Sequence, residues 1–439
     1  MGPSQGKRIA VIGAGWAGLC AAIEASQAHH QVTVLEASDH LGGRARGVSH
    51  TLPNGQIVQL DNGQHILIGA YRQTLALLDL LGLSRRELFH QSPLSLVYPD
   101  GQGLTLPNWP SPVDALYGVL RTSAWTWRER WSLLRTMLSW QQSGFQCEPL
   151  VSVSDLCHNL APRVFKSLIE PLCVSALNTP AAAASARVFL RVLQDSLLGP
   201  RGSSHLLLPS CDLGSILPQP AAAWLARQGA QVLTHHRAQT LSRTDKGWSV
   251  DGQAFDQVIL ATSASHACQL LEASAPALSE ADQAQLAPWL RHARTLQFEP
   301  ITTVYAWAQG ARLQQPMLAL HTDAKNAPAQ FVFDRGQLKG PEGLLAFVVS
   351  ASRGSRRELE GQVMGQAKSQ LDLDLLPVLT LVEKQATFAC TPGLIRPGTQ
   401  ILSGLVACGD YVAGPYPATL EGAIRSARLA VALLTSKDR

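Results

Sequence analysis

The stretch RIAVIGAGWAGLCAAIEASQAHHQVTVLE, residues 8–36, constrains the fold more than any other part of the chain. Arg8 to Ile12 is a short apolar run of strand length. Gly13, Gly15 and Gly18 follow as G-x-G-x-x-G, and Leu19 to Ala28 is a strong helix former. Gln31 to Leu35 gives a second strand that ends in Glu36, 18 residues after Gly18. Strand, glycine turn, helix, strand and acid in this order make a dinucleotide cradle. The first glycine permits the tight turn, the second lets backbone approach a pyrophosphate, and the third lets helix and strand pack closely. The helix N-terminus offers free N–H groups to the phosphates. Glu36 is placed to accept hydrogen bonds from a ribose diol.

Two further stretches narrow the nucleotide. After Glu36 and Ala37 the chain continues to Gly42-Gly43-Arg44, which an NAD site does not need. This loop resembles the second glycine motif of the glutathione-reductase type of flavoproteins, in which it continues the phosphate and flavin cradle. A guanidinium at Arg44 suits pyrophosphate or polar flavin edges. Residues 404–431, GLVACGDYVAGPYPATLEGAIRSARLAV, read as a buried strand, Gly409-Asp410, a loop and a helix. Thr419 is placed to cap that helix. The pattern resembles the C-terminal motif of the amine oxidase and phytoene desaturase superfamily. The resemblance implies that Asp410 hydrogen-bonds the ribityl chain and that the helix N-terminus stabilises the reduced flavin anion. In mid-chain, residues 229–264 read as strand, hairpin and strand. The resemblance puts the backbone of Val232 against adenine and ends the strand Asp256–Ala261 at the cofactor.

Residues 60–71, LDNGQHILIGAY, crowd four polar side chains, Asp61, Asn62, Gln64 and His65, around Gly63, just before the apolar run Ile66–Ile68. Polar groups are costly to bury without partners. In the superfamily this segment passes beside the isoalloxazine ring, with Gly63 giving the backbone room and the apolar run packing into the fold behind. Together with PLCVSALNTP at 171–180, the stretch resembles the hydroxysqualene dehydroxylase family, FAD-dependent enzymes of bacterial hopanoid pathways. The likeness runs over nearly the whole chain. It implies reductive removal of a hydroxyl from hydroxysqualene to give squalene. Protonation lets an allylic hydroxyl leave as water, and the cation accepts hydride from N5 of reduced FAD, so a general acid belongs near the ring. His65 and Asp61 are the first candidates, with Asn178 as an orienting donor and Tyr416 lining the ring. A structural histidine touching flavin through its backbone and a loop-fixing carboxylate are the open alternatives for His65 and Asp61. The expected cofactor is FAD. Its expected contacts are Gly13, Gly15, Trp16, Ala17, Gly18, Glu36, Ala37, Gly43, Arg44, Gly63, Gln64, His65, Val232, Ala261, Gly409, Asp410, Thr419 and Ala423.

The expected fold class is α/β, a glutathione-reductase-type FAD-binding Rossmann domain with an inserted α+β substrate domain. The cofactor domain is expected to be discontinuous, over 1–90, 205–285 and 385–439, with the substrate domain over 91–204 and 286–384. The first substrate segment is helical by pattern and holds five of the ten tryptophans. Trp127, Trp131, Leu134 and Leu138 recur at helical spacing, flanked by Arg128, Arg130 and Arg135. Interfacial aromatics at a membrane surface and tryptophans packed in a core both fit that spacing. The second segment contains FEPITTVYAWA and LLAFVVSAS, expected as strands flooring a long apolar pocket. AAAASA at 181–186 is expected to be helix.

The totals set limits. The chain has 439 residues, 46% of them hydrophobic and 15% charged, against a usual charged share of about 25%. Net charge is +4 with no Lys/Arg block, which argues against a nucleic-acid partner. The eight cysteines form no C-x-x-C pair and no Cys/His cluster has zinc spacing, so they read as free thiols in a reducing compartment and no metal is expected. The start lacks a signal peptide's apolar core and no apolar run has spanning length. A cytoplasmic location is expected, with peripheral association at the inner face of the cytoplasmic membrane as its variant. The expected partner is an apolar isoprenoid. The reductant of FAD, NADPH or a redox protein, stays open.

Three rivals share the fold. A carotenoid-type desaturase runs hydride the other way, and the cofactor motifs do not distinguish direction. An amine oxidase fits less well: Thr419 stands where an aromatic is usual, and TLQFEPITTVYAWA carries no flavin-facing lysine. A Rab GDP-dissociation inhibitor, which binds prenyl groups without flavin, is opposed by the intact Glu36 and Gly42-Gly43-Arg44.

Overall fold

The structure, a computed structural model, describes residues 6–323 and 325–435. Met1–Gln5, part of the opening read for a leader, lie outside the described residues. Six strands form the first sheet, in the spatial order 231–233, 31–35, 8–12, 257–260, 405–407, 400–402. All neighbours are parallel except the last pair. Parallel strands are covered on both faces, and side chains alternate between those faces. Ile9 and Val11 join one apolar cluster with Leu19, Ile23 and Ile424, whereas Ala10 and Ile12 join another with Trp248 and Phe255. The first helix, Trp16–Gln27, packs on the last, Leu420–Thr435. Both ends of the chain therefore cover one face of the sheet.

The glycine turn shows why this geometry needs its sequence. Gly13 has φ +107°, and its N–H donates to Leu35 O at 2.8 Å. A Cβ on Gly18 would lie 1.9 Å from Gly13 O, so the helix sits directly on the turn. No other residue permits that approach.

The second sheet is antiparallel, in the order 317–319, 331–334, 344–350, 298–307, 376–388. Its strand Leu344–Ser350 is buried along its whole length. The segment 91–204 is not purely helical: strands Ser95–Val97 and Gly103–Thr105 pair as a hairpin before the helices begin. AAAASA is not helix either, and the helix starts only at Ala186. Its backbone is bonded elsewhere: Ser185 N–H donates to Cys390 O, while Ala184 O and Ala181 O accept from Val153 and Ser154. Alanine propensity, worth under about 1 kcal/mol per residue, loses to those tertiary hydrogen bonds. The helix Trp127–Gln142 begins at a capping box of Thr126 and Glu129.

A buried carboxylate ties the last helix to an early one. Glu421 is fully buried. It accepts from the N–H of Gln73 at 3.1 Å, and from the N–H and hydroxyl of Thr74 at 2.9 and 2.8 Å. Arg425 Nε donates to it at 2.8 Å. Glu421 thus caps the helix Arg72–Leu80, which has no side-chain cap of its own. Glu421→Ala would strand the guanidinium and two helix N–H groups. It is expected to cost roughly 3–5 kcal/mol, seen as a lower urea midpoint; an unmoved midpoint would contradict the capping role.

Candidate active site: a cofactor cleft joined to an apolar chamber

A cleft of about 810 Å³ runs along the C-terminal edge of the parallel sheet. The first helix opens on it without a side-chain cap, so its free N–H groups face the space. A Cβ built on Gly15 meets no atom within 4 Å, which leaves room there for a bound group. Glu36 lines the cleft at the end of the second strand, fixed by N–H donors from Ala14 at 2.7 Å and Ser38 at 2.8 Å. Its remaining lone pairs are available to a diol. From the far end of the chain, Thr419 caps the last helix, its Oγ1 accepting from Gly422 N–H at 2.9 Å. Two helix N-termini thus share one cleft, a geometry suited to a diphosphate and to negative charge on a ring.

Arg44 fastens the walls together. It donates to Asp410 Oδ1 at 2.5 Å and to Ala386 O at 2.8 Å. The two side chains expected to reach the pyrophosphate and the ribityl chain are therefore joined to each other, and both still line the cleft. Gly13, Gly15, Trp16, Ala17, Glu36, Ala37, Gly43, Gly63, Gln64, His65, Ala261, Gly409, Thr419 and Ala423 line it as well. Gly18 does not, and acts through packing alone.

Val232 is a correction. Its backbone lies in the sheet ladder opposite Val34, away from the cleft. The chain crosses Glu36 one turn later, where His236 N–H donates to Glu36 O at 2.8 Å. Arg237, Ala238 and Gln239 are thereby delivered to the cleft wall. No glycine or acid marks that crossing in the sequence.

The loop 61–65 splits its polar groups between two sides. Gln64 and His65 line the cleft, whereas Asp61 does not. Asp61 is 2% exposed, its Oδ1 accepts from Leu213 N–H at 2.6 Å, and its carbonyl accepts from the Tyr305 hydroxyl at 3.0 Å. Burial pushes its carboxyl up to about 7, against the opposing Leu213 N–H and the Arg335 charge. His65 Nδ1 lies 2.9 Å from Gly63 O, so Nδ1 carries the proton and Nε2 is an acceptor. Burial, with help from the positive Arg44, pulls its pKa down to about 4. At neutral pH the imidazole is uncharged.

Asn178 caps the helix Glu170–Leu177 in the left-handed conformation at φ 45°. Its amide donates to Glu299 O at 3.2 Å and Thr387 Oγ1 at 2.9 Å, and accepts from Ala351 N–H at 2.7 Å. Both N–H groups are spent on the protein, so the expected orienting donor instead pins the second sheet to the helix. Tyr416 does not line the cleft; its hydroxyl donates to Asp195.

Tyr416 lines a second cavity of about 500 Å³, walled mainly by aliphatic and aromatic side chains of residues 94–206. Ile66, Tyr71, Ser175, Ala176 and Thr419 line both spaces, so the chamber adjoins the cofactor cleft across these side chains. None of the described residues of 286–384 lines this chamber, which corrects the expected floor. The second sheet borders the cleft instead, through Ile301, Ser350 and Thr387. Ile66 and Ile68 face the chamber while Leu67 between them enters the core, so the apolar run is wall as much as core.

A profile of flavin-containing amine oxidoreductases matches residues 16–435. The chain belongs to that family. Its cofactor is FAD, and it is an FAD-dependent oxidoreductase. The chain is also similar to the hydroxysqualene dehydroxylases of Sinorhizobium fredii, 24% identical over 98% of this chain and 99% of the relative, and of Rhodopseudomonas palustris, 27% identical over 99% of each. Among solved structures it resembles an oxidoreductase from Methanosarcina mazei, with TM-score 0.73 and 17% identity over 96% of this chain and 98% of that one. That last likeness speaks for the fold alone. In this family's fold, Gly15, the two helix N-termini, Glu36 and Arg44 are the groups that fit FAD, which supplies hydride chemistry at its ring when bound.

Arg44→Met removes the cross-cleft ion pair and is expected to weaken FAD binding roughly 10- to 100-fold, measured by flavin release on dilution. Unchanged affinity would mean the pair does not hold the cleft. Asp61 has a folded pKa above its unfolded one, so its ionisation costs stability as pH rises from about 4 through about 7. Asp61→Asn should gain on the parent across that window by at most about 4 kcal/mol, read from unfolding midpoints at each pH. A constant difference would place the Asp61 proton elsewhere.

Proposed function

We propose that this enzyme removes the hydroxyl of hydroxysqualene reductively, giving squalene. The observation that carries the proposal is the apolar chamber adjoining the flavin cleft across a shared set of side chains. A long isoprenoid alcohol fits that shape: its hydrocarbon body loses water contact along the chamber, and its carbinol carbon stops at the shared rim of Ile66, Tyr71, Ser175, Ala176 and Thr419. Full-length similarity to relatives named hydroxysqualene dehydroxylase supports the choice of substrate. With reduced FAD held in the cleft, the substrate carbon would gain a hydride as its C–O bond breaks. The hydroxyl takes one proton and leaves as water. An external two-electron donor, NADPH or a redox protein, must restore the reduced flavin.

His65 is the group in the cleft wall suited to hold that hydroxyl. Its Nε2 first accepts the hydroxyl hydrogen, which fixes the direction of the C–O bond. Donation then requires the imidazolium, whose population falls tenfold per pH unit above about 4. The dry chamber keeps water from competing for the allylic cation.

The test uses FAD-loaded protein, photoreduced without oxygen and mixed with hydroxysqualene. Flavin should reoxidise as squalene appears, faster at lower pH. His65→Leu should keep its flavin and lose roughly 100-fold or more in rate. Desaturation of phytoene by the oxidised enzyme, with no turnover of hydroxysqualene, would overturn the proposal in favour of the opposite hydride direction.

A further inference from the structure

We propose that two neighbouring helices dock the enzyme on an anionic phospholipid surface, with the mouth of the apolar chamber facing the acyl chains. The helices are Val113–Arg121 and Trp127–Gln142. Val113, Leu116, Trp131 and Leu138 belong to the chamber wall and are also 54%, 47%, 68% and 55% exposed. Side chains that are both lining and exposed mark the rim of an opening. Leu120 and Trp127 extend the same apolar face outward; Trp127 is 69% exposed. A contiguous exposed patch of this kind is unusual on a protein surface and points to a partner.

The patch is held in shape. Arg130 donates to Leu120 O at 2.7 Å and to Trp125 O at 3.0 Å, and its guanidinium carbon lies 4.7 Å from the Trp127 ring centroid. That arginine joins the end of one helix to the start of the next. Arg121, Arg128 and Arg135 are exposed beside the apolar face. Aromatic and aliphatic side chains ringed by arginines match an interface of acyl chains below and phosphates above. No described helix is long and apolar enough to cross a membrane, so the contact is one of lying on the surface. Continuity of the patch with the chamber selects lipid over a protein partner: a bilayer both covers the face and stores the oily substrate. The docking face stands on this surface geometry alone, whereas the identity of the molecule that passes through it rests on the function proposed above.

The full-length, FAD-loaded enzyme is to be co-sedimented with vesicles of phosphatidylcholine, with and without phosphatidylglycerol. Binding should be stronger on the anionic vesicles. Arg128→Gln with Arg135→Gln should lower anionic-vesicle affinity roughly 25-fold, at about fivefold per arginine. Leu120→Glu with Trp127→Glu should abolish binding to both vesicle types. These four positions do not line the cleft or the chamber. Turnover of hydroxysqualene dispersed in detergent should therefore be unchanged in both variants, and retained flavin shows that each has folded. Equal vesicle binding by parent and variants, or none by the parent, would overturn the proposal. So would a concentration-dependent dimer abolished by the same substitutions, which would assign the face to a second copy of the chain. Vesicle binding without hydroxysqualene turnover would leave the docking face standing and remove the substrate.

Discussion

Two helix N-termini from opposite ends of the chain open on one cleft, and the rest of the structure depends on their being held there. Arg44 and Asp410 are 366 residues apart in sequence and 2.5 Å apart in space. The first and last helices pack together on one face of the sheet, and Glu421 bonds the last helix to the helix Arg72–Leu80. A site whose halves lie at the two ends can form only when the whole chain has folded. Whatever lies between must enter and leave the sheet without separating those ends. FAD, bound by both halves, in turn favours the folded state by mass action.

The site divides its chemistry by solvation. The cleft collects backbone donors, carboxylates and the guanidinium groups of Arg44 and Arg237, chemistry suited to a charged cofactor. The chamber is apolar, and the acidic side chain among the described residues that line it, Asp195, is already bonded to Tyr416 and to Arg191 at 2.6 Å. His65 stands on the cleft side of that boundary, neutral because burial and Arg44 both oppose its protonation.

What was legible in the sequence was local. The turn through Gly13, Gly15 and Gly18 and the acid at Glu36 sit within one strand-helix-strand unit, so spacing alone carries them. The last helix and its Thr419 cap are local for the same reason. Val232 failed because contact with the cofactor depends on where the chain crosses the sheet edge, which is set by pairing with residues 198 positions away in the strand 31–35. Asn178 was misread for a different reason, and for Asp61 the geometry favours the loop-fixing alternative over the acid. Polar side chains in an apolar setting look alike whether they face a ligand or fasten a loop, and only their partners tell the cases apart. The pocket floor was attributed to strands of the second substrate segment because apolar strand residues read the same whether they fill a core or line a cavity. Trp125 and Trp140 are buried while Trp127 and Trp131 of the same segment are exposed, a distinction no composition reveals.

The central claim is that the chamber delivers an isoprenoid alcohol to the flavin ring, and the most direct measurement is the flavin's own spectrum. Oxidised, FAD-loaded enzyme titrated with hydroxysqualene in detergent should show a saturable perturbation of the visible flavin bands. Filling the junction by Ala176→Trp should abolish that perturbation while FAD stays bound. A flavin spectrum unmoved by the alcohol, or moved equally in Ala176→Trp, would contradict the account.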